Sequence, residues 1–131
     1  MPHILIVDDG ALVTSWLSEL LRREGYDVET AHDEHQAVRL YGEIRHDLVV
    51  ADLLMPNSLG MDFITQLLRH NAQARILAIA GSELIHSESK WNAASVFGSV
   101  RVLRKPFSLA AFLRIVKEQL SQEHQVTEPI V

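Results

Sequence analysis

Cysteine is absent from the 131 residues. That removes disulfides, thiolate metal sites and a cysteine nucleophile from consideration, and a reducing, cytoplasmic setting is expected. Basic residues are in the minority: 12 Lys and Arg stand against 17 Asp and Glu, a formal net charge of −5. A chain of that sign lacks the basic face that phosphate backbones and anionic lipids attract, so neither direct DNA binding nor membrane attachment is expected. No apolar run is long enough to span a bilayer. The start MPHILIVDD lacks the basic residues and long apolar stretch of a secretory signal. There is no internal repeat and no linker, so one domain is expected over residues 1–122, followed by a loose polar tail over 123–131. What is present is 47% hydrophobic and 22% charged residues, the profile of a globular domain with one real core. Seven histidines are scattered, at positions 3, 32, 35, 46, 70, 86 and 124. His32 and His35 have no third ligand nearby in sequence, so surface positions are expected.

The remaining pattern is an alternation. Short β-branched runs recur at Ile4–Val7, Tyr26–Thr30, Leu48–Ala51, Ile76–Ala80 and Val100–Leu103. Between them, apolar residues fall at helical spacing. Leu12, Trp16, Leu17, Leu20 and Leu21 form the first stripe, closed by Gly25 as a C-terminal signal. Ala37, Val38, Tyr41 and Ile44 form the second, with Asp33 as its N-cap. Met61, Phe63, Ile64, Leu67 and Leu68 form the third. A fourth helix is expected over 82–97, and a fifth carries Leu109, Phe112, Leu113, Val116 and Leu120 behind a Ser108 cap. Trp16 and Trp91 lie on such stripes and are expected in the core. Five strands alternating with five helices imply a parallel sheet covered on both faces, with the apolar third strand central.

The stretch HILIVDDG ends an apolar strand on two adjacent carboxylates, which repel each other unless something compensates. In open parallel α/β sheets, ligands bind beyond the carboxyl ends of the strands. Collected there are Asp8 and Asp9 after the first strand, Asp52 after the third, Ala80 to Ser82 at the fourth and Lys105 after the fifth. Three carboxylates crowded together need a cation, and oxygen-only ligands suit a hard ion such as Mg²⁺. Lys105 adds a point charge able to hold a phosphoryl oxygen. A carboxylate beside a metal and a lysine is a plausible phosphate acceptor. The bland alternative is an acidic rim with Lys105 as its salt-bridge partner, and strand-end placement of all four groups argues against it.

At ILIVDDG, DLVVADLLMP with its following Gly60, ILAIAGS and VLRKPF, the sequence resembles the receiver domain of two-component response regulators. The resemblance extends over about 120 residues. It implies the flavodoxin-like (βα)5 three-layer sandwich with strand order 2-1-3-4-5, for which a receiver is a standing example. It implies Asp52 as phosphoacceptor, Asp8, Asp9, Asp52 and the Leu54 backbone carbonyl as Mg²⁺ ligands, and Lys105 as the partner of Asp52 or its phosphoryl group. Two switch positions depart from the family pattern. Ala80 stands where Ser or Thr is usual, and Val102 where an aromatic ring is common.

The leading expectation is a phosphoacceptor served by a histidine kinase or a histidine phosphotransfer protein. No DNA-binding or enzymatic segment follows in the sequence, so output is expected through contact with a downstream protein or onward phosphotransfer. At most the chain would catalyse its own phosphorylation and dephosphorylation. Ala80 and Val102 motivate a second expectation, a receiver-fold interaction module that works regardless of phosphorylation. A metal-dependent phosphatase is disfavoured, because Leu54 stands where a second catalytic carboxylate would be needed.

Overall fold

The structure, a computed structural model, describes residues 2–8, 11–52, 60–80, 100–104 and 106–121, with the side chains of 11–14, 52, 60–63 and 80 set aside. The helix expected over 82–97, Trp91 and the tail 123–131 lie outside these residues. Five strands are described: β1 (His3–Val7), β2 (Asp27–Ala31), β3 (Leu48–Asp52), β4 (Ile76–Ala80) and β5 (Val100–Arg104). Four helices are described: α1 (Ala11–Arg23), α2 (Glu34–Ile44), α3 (Gly60–His70) and the C-terminal α4 (Leu109–Ser121). All strand pairs are parallel, in the order β2-β1-β3-β4-β5. The expected strand order and fold class are therefore what the chain adopts.

Alternation along the strands divides the interior in two. Leu5, Val7, Val49, Ala51, Ile76 and Ala78 join Ala37 and Tyr41 of α2 and Ile64 and Leu67 of α3. Ile4, Ile6, Leu48, Val50, Leu77 and Ile79 join Leu17 and Leu21 of α1 and Phe112, Ile115 and Val116 of α4. β3 lies between β1 and β4 with Leu48 to Ala51 fully buried. A strand covered on both faces must be apolar throughout, and LVVA is.

The helix ends follow the sequence signals. Gly25 adopts φ +95. Its N–H donates to the Arg22 carbonyl and that of Tyr26 to the Leu21 carbonyl, a Schellman closure of α1. Asp33 accepts from the Gln36 N–H at 2.8 Å and Ser108 Oγ from the Ala111 N–H at 3.0 Å, each satisfying an orphan donor of the first turn. α2 ends on Arg45 in the left-handed region at φ 58, its N–H donating to the Tyr41 carbonyl at 2.7 Å.

Three expectations about burial need correction. Trp16 is 67% exposed. The buried ridge of α1 runs through Leu17 and Leu21, and at 3.6 residues per turn Trp16 stands about 100° round from Leu17. Ile44 and Leu109 are exposed as well. They are the last residue of α2 and the first of α4, where an apolar stripe outruns the core it covers. His46, for which the sequence carried no expectation of depth, is buried at 4%. Its Nε2 lies 2.6 Å from Glu29 Oε1 and its ring stacks on Tyr41 with centroids 6.2 Å apart. The Tyr41 hydroxyl accepts from Asn71 Nδ2 at 3.1 Å. This polar seam ties β2 and the turn before β3 to the ends of α2 and α3. His32 and His35 are exposed, as expected.

β2 and β5 are the sheet's edges. Along β2, Arg22 Nη2 donates to the Val28 carbonyl at 3.0 Å. On β5, Arg101 meets Glu118 of α4 at 2.7 Å.

Candidate functional site

Strand register brings the sequence-predicted residues to one end of the sheet. Val7 is opposite both Ala31 and Ala51, so Asp8, next along β1, is level with Asp52, the last residue of β3. Neighbouring strands are about 4.8 Å apart, which brings these two backbones within reach of one shared ion. Asp8 is 3% exposed, and its N–H donates to the Ala31 carbonyl at 3.0 Å, which continues the ladder one step past the strand. A carboxylate buried to that degree is costly unless it is paired or hydrogen-bonded.

On the other flank, Asp52 is opposite Ile79 and Ala80 is opposite Arg104. Ala80 ends β4. Val102 sits inside β5 opposite Ala78 and packs, partly buried, against the core beneath α2 and α3. Asp9, Leu54 and Lys105 lie outside the described residues, as does the side chain of Asp52. Lys105 follows Arg104 directly in sequence, one step beyond the end of β5. Among the described residues no three histidines or carboxylates group as a metal site; the expected group needs Asp9 and the Asp52 carboxylate to be complete.

The chemistry of this donor set fits a hard divalent cation: carboxylate oxygens, with no cysteine in the chain and no histidine in the set.

Comparison with known proteins agrees with this arrangement. The family model described as the response regulator receiver domain matches residues 4–117. The transcriptional regulatory protein CpxR of Klebsiella pneumoniae is 35% identical over 134 residues, covering 98% of this chain and 55% of that protein. The transcriptional regulatory protein PdtaR of Mycobacterium tuberculosis is 31% identical over 126 residues, covering 95% of this chain and 60% of that protein. The chain thus spans little more than half the length of these curated relatives. Among solved structures, the non-phosphorylated HemR receiver domain of Leptospira biflexa superimposes with a TM-score of 0.82 at 27% identity, over 100% of both chains. A receiver domain protein of Clostridium thermocellum gives a TM-score of 0.84 at 19% identity, over 97% of this chain and 100% of that one, a likeness of fold. The acidic strand ends, the 2-1-3-4-5 sheet and the family match together make this chain a member of the response regulator receiver domain family.

Proposed function

We propose that the chain accepts a phosphoryl group on Asp52 from the phosphohistidine of a histidine kinase or phosphotransfer protein, and signals through contacts with a downstream protein. Membership of a family of phosphoryl-accepting signalling modules supports this reading. The observation that carries it is the register: Asp52 ends a strand buried on both faces, level with a buried carboxylate on the neighbouring strand. A rigid central strand fixes the nucleophile's position, which oriented attack requires.

In this reading an Asp52 carboxylate oxygen attacks phosphorus. The bond from phosphorus to the histidine nitrogen breaks, and the imidazole leaves with that electron pair and takes up a proton. Asp8, Asp9, Asp52 and the Leu54 carbonyl would hold Mg²⁺, which supplies charge neutralisation at the phosphoryl oxygens. Lys105 holds a phosphoryl oxygen as a point charge. The receiver unit is taken as residues 1–122, working in the cytoplasm.

The test is intact mass after incubation with a small phosphodonor and Mg²⁺. Wild type is expected to gain one phosphoryl group and Asp52→Asn none. Full labelling of Asp52→Asn would move the acceptor elsewhere. Absence of labelling in wild type would favour an interaction module independent of phosphorylation, the reading that Ala80 and Val102 motivate.

A further inference from the structure

Among the described residues, Arg45 alone combines a side chain with positive φ. Its neighbours impose that turn. Its N–H donates to the carbonyl of the buried Tyr41 at 2.7 Å, and His46, the next residue, enters the interior. Glycine would meet the demand without strain. The arginine side chain is exposed, and no hydrogen bond or ion pair holds it among the described residues. Backbone strain with no internal contact to offset it clusters at functional positions. The surroundings have the same character. Ile44 beside it is 42% exposed. The Tyr41 hydroxyl accepts from Asn71 Nδ2 at 3.1 Å, which joins the end of α2 to the end of α3, where Arg69 and His70 are exposed. The Arg69 guanidinium is likewise without a partner among the described residues. Attraction to helix C-terminal carbonyls accounts for cations in the last turn of α3. It does not account for an arginine in a glycine seat. One exposed carboxylate, Glu43, stands nearby, and that of Asp47 accepts the His3 N–H at 2.8 Å. His46 and Asp47 lead into β3, so this end of the molecule is opposite the one that carries Asp52.

We propose that Ile44, Arg45 and Arg69 together dock an acidic segment of a second protein, one that presents an apolar side chain between carboxylates. The planar fork of a guanidinium delivers two N–H groups to the two oxygens of one carboxylate. An exposed apolar residue beside arginines has the composition of a protein interface, where arginine is enriched and lysine depleted. Charge selects the kind of partner. The chain carries −5 overall, so a long polyanion is repelled by the rest of the surface, whereas a short acidic segment meets only this end. The seam of Tyr41, His46 and Asn71 fixes the backbone beneath the two arginines, so little ordering is required on binding. The surface is separate from the phosphoryl site and does not depend on which residue accepts phosphate.

The experiment titrates a synthetic peptide, one leucine between two runs of glutamate, into the full chain, followed by amide and arginine Nε NMR. Saturable shifts are expected at Ile44, Arg45, Arg69 and His70, and none with the lysine counterpart of the peptide. Arg45→Gly relieves the strain, so it is expected to fold at least as stably as wild type and still to bind about threefold to fivefold more weakly, the size of one exposed ion pair. Arg69→Gln is expected to lose a similar factor with its unfolding midpoint unchanged. An arginine with a purely structural role would show no loss of affinity on exchange for glycine, so equal affinity in wild type and Arg45→Gly overturns the proposal. Shifts scattered over the whole surface overturn it as well, as does the lack of any shift up to about 5 mM peptide. A short single-stranded oligonucleotide that moves the same amides at lower concentration than the peptide overturns it in favour of a nucleic-acid partner.

Discussion

Arg45 holds a left-handed conformation at φ 58, which costs an L-residue with a side chain roughly 1–2 kcal/mol relative to glycine. Glycine repays part of that gain through its freer unfolded chain. Arg45→Gly is therefore expected to raise stability by about 0.5–1 kcal/mol, read from urea unfolding midpoints; an unchanged or lower midpoint would show that the Arg45 side chain contributes more than the strain costs. His46 is the reverse case. Its ring is packed on Tyr41 and held by Glu29, so His46→Ala opens a cavity and strands polar groups, at a cost of about 2–3 kcal/mol. A loss below roughly 0.5 kcal/mol would mean that the seam is ornamental. Glu118 is held below the usual carboxylate range, first by its side-chain hydrogen bond to Arg101, against an opposing desolvation that outweighs either of the Arg101 and Arg114 charges added to that bond. A lowered folded-state value stabilises above the unfolded carboxylate's pKa, and the contribution is lost as pH falls through the lowered value. The group is exposed at the surface, so salt screens the effect. Glu118→Gln should flatten a slight acid-side decline in stability at low ionic strength and do nothing in about 1 M salt.

At the scale of elements, strands and helix caps were legible because their causes are local. Short β-branched runs, Asp33, Ser108 and Gly25 each act within a few residues, and the structure puts them where the pattern does. Gly25→Ala forces a β-carbon into φ +95, although nothing lies within 4 Å of that position. The cost is thus conformational, about 1 kcal/mol, and Asp33→Ala should lose a similar amount by uncapping α2. Equal unfolding midpoints for either variant would contradict its assignment. Side-chain depth was less legible. Helical spacing shows that an apolar stripe exists but not how wide its buried part is, so Trp16 and Leu17 read alike until α1 is laid on the sheet. His46 carried no signal at all, since its partner Glu29 lies 17 residues earlier on another element. The candidate site was legible through strand ends, where register sets Asp8 level with Asp52.

For the whole molecule, the exposed Trp16 follows Asp8 by about two turns of chain, on the helix that leaves the acidic end of the sheet, and Leu109 opens the helix that follows Lys105. On the function proposed, a protein that delivers a phosphohistidine to Asp52 would cover this rim, and buried tryptophans commonly dominate such contacts. Trp16→Ala is expected to leave stability within about 0.5 kcal/mol and labelling by a small phosphodonor unchanged. Transfer from a protein phosphodonor should slow about tenfold or more; equal transfer rates would put the contact elsewhere. The opposite behaviour belongs to β2. Among the described residues, no further strand pairs with its outer edge, which leaves a row of backbone groups as a template on which any extended chain could add itself. Arg22 occupies one rung of that template by donating to the Val28 carbonyl, and Asp27 and Glu29 place negative charge along the same margin. The guanidinium thus acts as a stopper against strand-by-strand growth into aggregates. Its loss would be felt in the crowded cell, where an uncapped edge meets its own copies, before it registered in the stability of a single dilute chain.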